Sequence, residues 1–367
     1  MDSASILIYA HDGVGVGHVS KMAKLAHLIY EHDKHIDIHF ISGYDKVNNF
    51  LNENISYIKL PSYNKILLQE NPDRKFKEES SSKIRKDILK AILFKTKFSC
   101  IIIDMFFWGT KNELKDILPK VKKRFPETKI ILTLRGIIFS VEHTKSFFDK
   151  SIGTKYLNRI FSKIICLCDK RIIDVNKEYF DNKLIIPIKY LGYIYYPITS
   201  PQMRETTSKN ILVNFGGGYK CDDILINIIT YLSKREKSNI NIHIVLGEYL
   251  QQKTINDIFL PNHKFCIKKM LPHHELFNTR FDLIIGCGGY NVMMEAIFNN
   301  IPLIVIPKDN TDEAIIHSLI LKNYSSIEVL PLNQIDKIWN IINKQIISVP
   351  RHNLKAFTQS DIQELFI

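Results

Sequence analysis

The stretch His11-Asp-Gly-Val-Gly-Val-Gly-His-Val-Ser-Lys21 sets three glycines at alternate positions, Gly13, Gly15 and Gly17, and follows them at once with His18. Only 15 glycines occur among 367 residues, so this spacing reflects a local demand on the backbone. An apolar run, Ser5–Ala10, precedes the glycines and a helix-length stretch, His18–Glu31, follows them. Glycine lets the chain turn sharply and lets a ligand approach the main chain, while the free amides of a helix start favour an anion. His18 at that start has the chemistry of a general base or of a donor to a phosphate. A polar helix cap is the plainer use of a lone histidine there.

The spacing is not G-x-G-x-x-G, and the second strand ends Phe40-Ile-Ser-Gly43 with no acidic residue to hold a ribose. G-x-x-x-x-G-K-[ST] is also missing, which argues against a dinucleotide site and a P-loop. A second strand–glycine–helix unit, Val213-Asn-Phe-Gly-Gly-Gly-Tyr-Lys220, offers Gly216, Gly217 and Gly218 as a diphosphate seat with Lys220 nearby. A third, Phe281-Asp-Leu-Ile-Ile-Gly-Cys-Gly-Gly-Tyr-Asn291, ends a strand in Gly286, Gly288 and Gly289 and places Glu295 on the helix that follows. A carboxylate there suits the two hydroxyls of a ribose whose phosphates rest on the glycine amides. Asp104 and Arg135 each close a strand of the first half. The carboxyl end of a parallel sheet is where such side chains meet a ligand, although helix caps and structural ion pairs use them equally.

These loops need a scaffold, and the hydropathy pattern supplies one. Apolar runs at Ser5–Ala10, Ile36–Ile41, Ile55–Leu60, Ser99–Ile103, Lys129–Leu134 and Lys163–Leu167 alternate with helix-length stretches at His18–Glu31, Ser81–Phe94, Lys111–Phe125 and Thr144–Phe161. A polar segment, Ile198–Lys209, with Pro201 inside it and Pro197 just before it, interrupts the rhythm, which then restarts with strands near Asn210–Phe215, Ile240–Leu246, Lys264–Ile267, Asp282–Ile285, Pro302–Ile306 and Ser326–Leu330. The expected fold is α/β: two Rossmann-like doubly wound domains facing across a cleft. Their expected bounds are residues 1–195 and 210–350, with a linker at 196–209 and a crossover helix at 351–367 returning to the first domain. Pro61–Ser82 reads as a long loop.

Hydrophobic residues make up 45% and charged residues 24% of the chain, the balance of a globular protein. No apolar run approaches the ~20 residues of a membrane span, and the N-terminus carries no basic region or cleavage site, so the expected location is the cytoplasm. The six cysteines are scattered through apolar runs and read as buried thiols. A net charge of +12 favours anionic partners without choosing among them. Aromatic and basic residues are not interleaved as in nucleic-acid binders, so no specific nucleic acid is expected. Lys83–Lys95 is amphipathic, which fits either a core helix or peripheral contact with an anionic membrane.

The cluster at Gly286–Glu295, with Asp309-Asn-Thr-Asp-Glu313 behind it, resembles the donor-binding region of GT-B glycosyltransferases of the family 28 type, the group that includes the bacterial transferase adding GlcNAc to lipid-linked muramyl peptide. Gly15-Val-Gly-His18 resembles that group's first loop. Ile103-Asp-Met-Phe-Phe-Trp-Gly109 with Glu113-Leu114, Leu134-Arg-Gly136, Cys168-Asp-Lys-Arg-Ile-Ile-Asp174, Leu191-Gly-Tyr193 and Gly288-Gly-Tyr-Asn291 are similar, in the same order, to a branch of predicted glycosyltransferases.

The resemblance implies a nucleoside-diphosphate sugar as donor. Glu295 would bind its ribose, and Gly216–Gly218 with Gly288, Gly289, Tyr290 and Asn291 would hold its diphosphate. The main chain near Met270 and Leu271 would meet the base, and Asp312 and Glu313 would reach the sugar. His18 would face the transferred group, with Gly13, Gly15, Gly17 and Arg135 on the acceptor side. Ala314 and Ile315 stand where the peptidoglycan enzyme has paired glutamines, so UDP-linked sugar is only the default. With no D-x-D motif, the expected reaction is inverting hexosyl transfer without a metal or other cofactor, with His18 or its rival Asp104 as base. A nucleotide-sugar hydrolase or epimerase is the alternative, and a basic non-enzymatic binder ranks below both. The hydroxyl acceptor, lipid-linked or otherwise, is not legible in the sequence.

Overall fold

The structure, a computed structural model, describes residues 4–12, 16–63, 74–149, 153–197, 208–217, 221–233, 240–247, 265–268, 281–308, 313–346 and 352–366. The chain divides into two compact units, Met1–Ile194 with Lys355–Ile367, and Tyr195–Leu354.

Unit 1 is built on a parallel sheet of seven strands among the described residues: β1 (Ser5–Tyr9), β2 (Asp37–Ser42), β3 (Ser56–Lys59), β4 (Cys100–Asp104), β5 (Lys129–Leu134), β6 (Lys163–Cys166) and β7 (Ile188–Tyr190), in the order β3-β2-β1-β4-β5-β6-β7. The central strands are apolar over most of their length because helices cover both faces, and every residue of β4, the closing Asp104 included, is buried. The connecting helices are α1 (Gly17–His32), α2 (Arg74–Lys95), α3 (Ile117–Arg124), α4 (Val141–Asp149), α5 (Gly153–Ile160) and α6 (Val175–Phe180). The chain leaves β1 toward β2 on one side and returns to β4 on the other, so the order reverses between β1 and β4. Their register sets Tyr9 opposite Ile103, and β4 runs one residue further, to Asp104. Such a reversal opens a crevice at the carboxyl ends of the two strands.

Unit 2 repeats the plan with β8 (Lys209–Asn214), β9 (Ile240–Val245), β10 (Phe265–Lys268), β11 (Leu283–Gly286), β12 (Leu303–Val305) and β13 (Ile327–Val329) in the order β10-β9-β8-β11-β12-β13. Its helices among the described residues are α7 (Asp222–Ser233), α8 (Tyr290–Phe298), α9 (Glu313–Leu321) and α10 (Ile338–Ile346). Ile211, Val213, Ile228, Leu283, Ile285 and Ile304 belong to its core. The reversal here lies between β8 and β11, at the two glycine-rich turns.

Four expectations need correction. Helix α2 begins at Arg74 rather than near Ser81, because Arg74-Lys-Phe-Lys-Glu-Glu79 consists mostly of good helix formers. The stretch expected as one helix over Lys111–Phe125 opens with left-handed backbone at Lys111 and Asn112, which delays α3 to Ile117. The helix expected over Thr144–Phe161 is two, α4 and α5. The closing segment is mainly extended: Tyr193 N–H donates to the Lys355 carbonyl at 2.9 Å and Phe357 N–H to the Tyr193 carbonyl at 2.8 Å, so main-chain pairing with Tyr193 competes with helix formation. Thr358 and Asp361 then form a capping box, and only the last turn, α11 (Gln363–Phe366), is α-helical.

That segment is part of unit 1's core. Ile362 and Leu365 have no exposed surface. Lys163 Nζ donates to the Glu364 carbonyl at 2.9 Å, Lys129 Nζ donates to the Phe366 carbonyl, and Lys189 pairs with the Glu364 carboxylate at 2.9 Å. Cations at a helix C-terminus satisfy its last carbonyls and complement its dipole. We expect Leu365→Ala to lower the unfolding free energy of unit 1 by about 2–5 kcal/mol. Denaturant unfolding measures this, and an unchanged midpoint would show that the segment merely rests on the unit.

Candidate active site

In unit 1 the site begins at the end of β1. Ala10 is tied to β2 by its N–H to the Ile41 carbonyl at 2.9 Å, after which His11 and Asp12 lead toward α1. Gly13 and Gly15 lie outside the described residues, while Gly17 is the first residue of α1 and His18 the second. The His18 side chain is 13% exposed and its Nδ1 lies 2.6 Å from Asp104 Oδ2. Lys21, one turn further along α1, donates from Nζ to Asp104 Oδ1 at 2.6 Å. Asp104 has no exposed surface and Lys21 only 2%.

Burial by itself would raise the Asp104 carboxyl, but the Lys21 ammonium and then His18 overcome it and hold the group well below the usual carboxylate range. An ionised carboxylate only accepts, so the His18 proton sits on Nδ1 and Nε2 carries the lone pair. Burial is also the largest influence on His18 and lowers it. Asp104 opposes this, and the charges of Arg135 and Lys21 reinforce it. The imidazole is therefore neutral at neutral pH, the state a general base needs.

Beyond Asp104 the chain turns abruptly. Met105 adopts φ +41°, rare for a side chain of this size, and Phe106 N–H reaches back to the Asp104 carbonyl at 2.5 Å. The turn sets the Phe106 ring 5.8 Å from that of His18 and 4.5 Å from that of His11, with His11 5.3 Å from His18. Phe147 of α4 packs edge-on against Phe106 at 5.4 Å and is 37% exposed. An aromatic wall thus runs from the imidazole to the surface of α4. Arg135 follows β5 directly and is partly buried.

A second polar cluster fixes where the glycine loop departs. Arg85 of α2 reaches Asp12 through Nη1 and Nη2 at 2.9 and 3.0 Å, and Glu113 through Nε and Nη2, both at 2.7 Å. Asp12 also accepts from Tyr63 N–H at 3.0 Å and Thr110 Oγ1 at 3.0 Å, and Tyr9 Oη donates to Glu113 at 2.5 Å. A fork of five donors between two buried carboxylates joins α2, the end of β1 and the turn after β4.

In unit 2, Asn214 ends β8 and its Oδ1 accepts from Gly216 N–H at 2.8 Å, closing a turn in which Gly216 takes φ +63°. Gly217 follows, partly buried; Gly218 and Lys220 lie outside the described residues. Across the reversal, a Cβ on Gly286 would stand 2.7 Å from the Asn214 carbonyl, so only glycine lets the ends of β8 and β11 approach this closely. Gly288 follows at φ +79°, and Gly289 begins α8 with extended backbone and no side-chain cap. A Cβ on Gly289 would meet nothing within 4 Å, so the approach to the first-turn amides of α8, at Tyr290 and Asn291, is open at this point.

Glu295 lies on α8 with no exposed surface, and its Oε2 accepts from Tyr196 N–H at 2.9 Å. The Tyr195 ring stacks on Phe298 at 4.9 Å, and burial followed by the Glu295 charge raises the phenols of Tyr195 and Tyr196. Met270, Leu271 and Asp312 lie outside the described residues, and Glu313 is the first residue of α9.

The structure thus joins His18 and Asp104, which the sequence offers as rivals, into one hydrogen-bonded unit. Lys21, His11, Phe106 and the Asp12–Arg85–Glu113 cluster escape sequence reasoning. The one available signal was a lysine three residues after His18, on the part of α1 that also carries Val19, Met22, Ala23 and Leu25. Arg85→Met would leave two buried carboxylates without their cation. We expect it to cost about 3–5 kcal/mol, read from thermal and denaturant unfolding, whereas a loss below about 1 kcal/mol would mean that the cluster hydrates freely.

Residues 211–364 match the family profile described as "Glycosyltransferase family 28 C-terminal domain". No curated protein matches the sequence. Among solved structures, the chain is similar to UGT71G1 of Medicago truncatula complexed with UDP-glucose, at TM-score 0.59 and 14% identity over 99% of this chain and 93% of that one. It is also similar to the spinosyn forosaminyltransferase SpnP (TM-score 0.63, 11% identity, 99% and 94%). A structure described as a UDP-N-acetylglucosamine 2-epimerase from Listeria monocytogenes aligns at TM-score 0.65 and 10% identity, over 100% and 96%. At these identities the structural likeness is one of fold. The chain thus has the GT-B fold, two Rossmann-like units with matching strand orders, and the greater part of its second unit matches a glycosyltransferase family 28 C-terminal domain.

Proposed function

We propose that the protein transfers a hexose-type sugar from a nucleoside-diphosphate sugar, UDP-linked by default, to a hydroxyl acceptor, with inversion and without a metal ion. The observation that carries this reading is the His18–Asp104 pair, 2.6 Å apart, which leaves the Nε2 lone pair available beside the aromatic wall. In the proposed step Nε2 takes the proton of the acceptor hydroxyl as its oxygen bonds to the anomeric carbon. The bond from that carbon to the diphosphate oxygen breaks, and the nucleoside diphosphate leaves with the electron pair. Asp104 orients the imidazole and stabilises the imidazolium that forms. Both its oxygens are engaged, which argues against its acting as an independent base.

The donor is assigned to unit 2 on the family 28 match and on the glycine turns at Gly216–Gly218 and Gly288–Gly289. Their amides, the start of α8 at Tyr290 and Asn291, and Lys220 would stabilise the diphosphate. Met270 and Leu271 are proposed for the base, Asp312 and Glu313 for the sugar, and Glu295 for the ribose through the carboxylate that now accepts from Tyr196. Arg135 would hold an anionic group of the acceptor. A lipid-linked acceptor, reached by peripheral contact with an anionic membrane, belongs to the same proposal. A nucleotide-sugar hydrolase or epimerase is the second reading, favoured by the likeness to an epimerase structure. Donor consumption without any acceptor would select it.

Calorimetry with UDP, GDP, CDP, TDP and ADP, with and without magnesium, tests the donor half. We expect one nucleoside diphosphate to bind without metal and to be lost in Glu295→Gln, which keeps an acceptor for Tyr196 N–H. No binding at millimolar concentration would remove the transferase reading. Once a donor is known, His18→Ala should lower turnover by ~10²–10⁴-fold. Near-normal turnover in that variant would place the base elsewhere.

A further inference from the structure

A histidine bonded to a buried carboxylate ordinarily becomes easier to protonate, because the negative charge favours imidazolium. Around His18 that consequence is countered. Among the described residues, Asp104 at the end of β4 supplies the one negative charge facing the ring, and its second oxygen is occupied by Lys21 Nζ at 2.6 Å. The other groups on the imidazole among the described residues are Arg135, after β5, whose charge opposes protonation, and His11 and Phe106, whose rings lie 5.3 and 5.8 Å away. Among the described residues, two cations and one anion therefore act on a neutral ring. Protonating it would add a third cation to a largely buried cluster, and burial makes such a charge costly.

Lys21 is placed for this by helix geometry. Three residues beyond His18 on α1, it lies on the same face of the helix, and both side chains converge on one carboxylate. A lysine with 2% exposure has lost most of its water, and its 2.6 Å contact with Oδ1 replaces that hydration. The contact also restrains the carboxylate, with Oδ1 turned to Lys21 and Oδ2 to Nδ1.

We propose that Lys21 is a positioning residue for His18: its ammonium holds and neutralises the Asp104 carboxylate, so that Asp104 fixes the Nδ1–H tautomer without converting the ring to imidazolium. The proposal rests on the reading of His18 as the base. It deepens that reading by making a Lys–Asp–His cluster, rather than a His–Asp pair, the unit that sets when the base is active. The lysine supplies orientation and electrostatics and takes no proton from the acceptor.

The test is an NMR titration of histidine-labelled protein, with the His18 signals assigned by their loss in His18→Gln. In the wild type we expect a neutral Nδ1–H tautomer and a midpoint below the ordinary value of about 6.5. Lys21→Gln keeps a donor for Asp104 but removes the charge, and should move the midpoint up by about one pH unit or more. Lys21→Arg, which keeps the charge, should leave it nearly in place. A His18 midpoint above the ordinary value in the wild type would overturn the proposal, as would an unmoved midpoint in folded Lys21→Gln. Should Lys21→Gln fail to fold, the wild-type tautomer and midpoint still decide. Full transfer activity in His18→Ala would refute the catalytic reading while leaving the titration intact, so the two failures are distinguishable. In an active enzyme, the acid limb of the pH–rate profile should move up with the NMR midpoint in Lys21→Gln.

Discussion

A carboxylate with no access to water must be paired, and in unit 1 that requirement falls on Asp104 at the last position of β4. Its pairing draws α1 onto the end of the sheet through two contacts one helical turn apart, from His18 and Lys21. The position of His18 follows from that charge, and so does its tautomer. The sharp turn at Met105, which brings Phe106 beside the imidazole, begins from the same residue. A second buried charge, Arg85 between Asp12 and Glu113, anchors the other end of the glycine loop. The loop is thus held at entry and exit by ion pairs from which water is largely excluded, where Coulomb interactions are strong. Such clusters hold one geometry because every other arrangement strands a charge.

Unit 2 solves its problem with backbone instead of charge. Its reversal is lined by Gly216, Gly286 and Gly289, which let main-chain groups approach closely, and by Asn214, whose side-chain oxygen holds the Gly216 amide. The contrast suits the proposed reaction, in which unit 1 would supply the base and unit 2 would receive the diphosphate. Glu295, Tyr195 and Phe298 connect α8 to the segment that enters unit 2 from Ile194, so the proposed ribose carboxylate is also part of how that segment is seated.

The alternation of apolar runs and helix-length stretches placed twelve of the thirteen strands among the described residues to within a few residues, because a parallel sheet covered on both faces leaves a continuous apolar signature, but it passed over the three-residue edge strand β7. The glycine turns of unit 2 at Gly216 and Gly288 were equally legible, since consecutive glycines between a strand and a helix serve few other purposes. Helix boundaries were not. The start of α2, the delay of α3 and the break between α4 and α5 depend on local backbone choices that hydrophobic period does not register. The closing segment misled for a related reason: residues with an adequate helical period found a main-chain partner in Tyr193, 163 positions earlier (356 − 193).

What the sequence determined by itself was the α/β plan, the division into two halves and the set of strand-end residues able to do chemistry, because these follow from hydrophobic period and from backbone freedom at glycine. Only the tertiary structure decided which of those residues act together. His18 and Asp104 are 86 positions apart, and Asp12 and Arg85 are 73. The strand order β3-β2-β1-β4 makes β1 and β4 neighbours, and no local pattern encodes that order. A buried lysine is the plainest case. In the sequence Lys21 reads as one basic residue among 50, and it gains its meaning from a carboxylate that the fold brings within 2.6 Å.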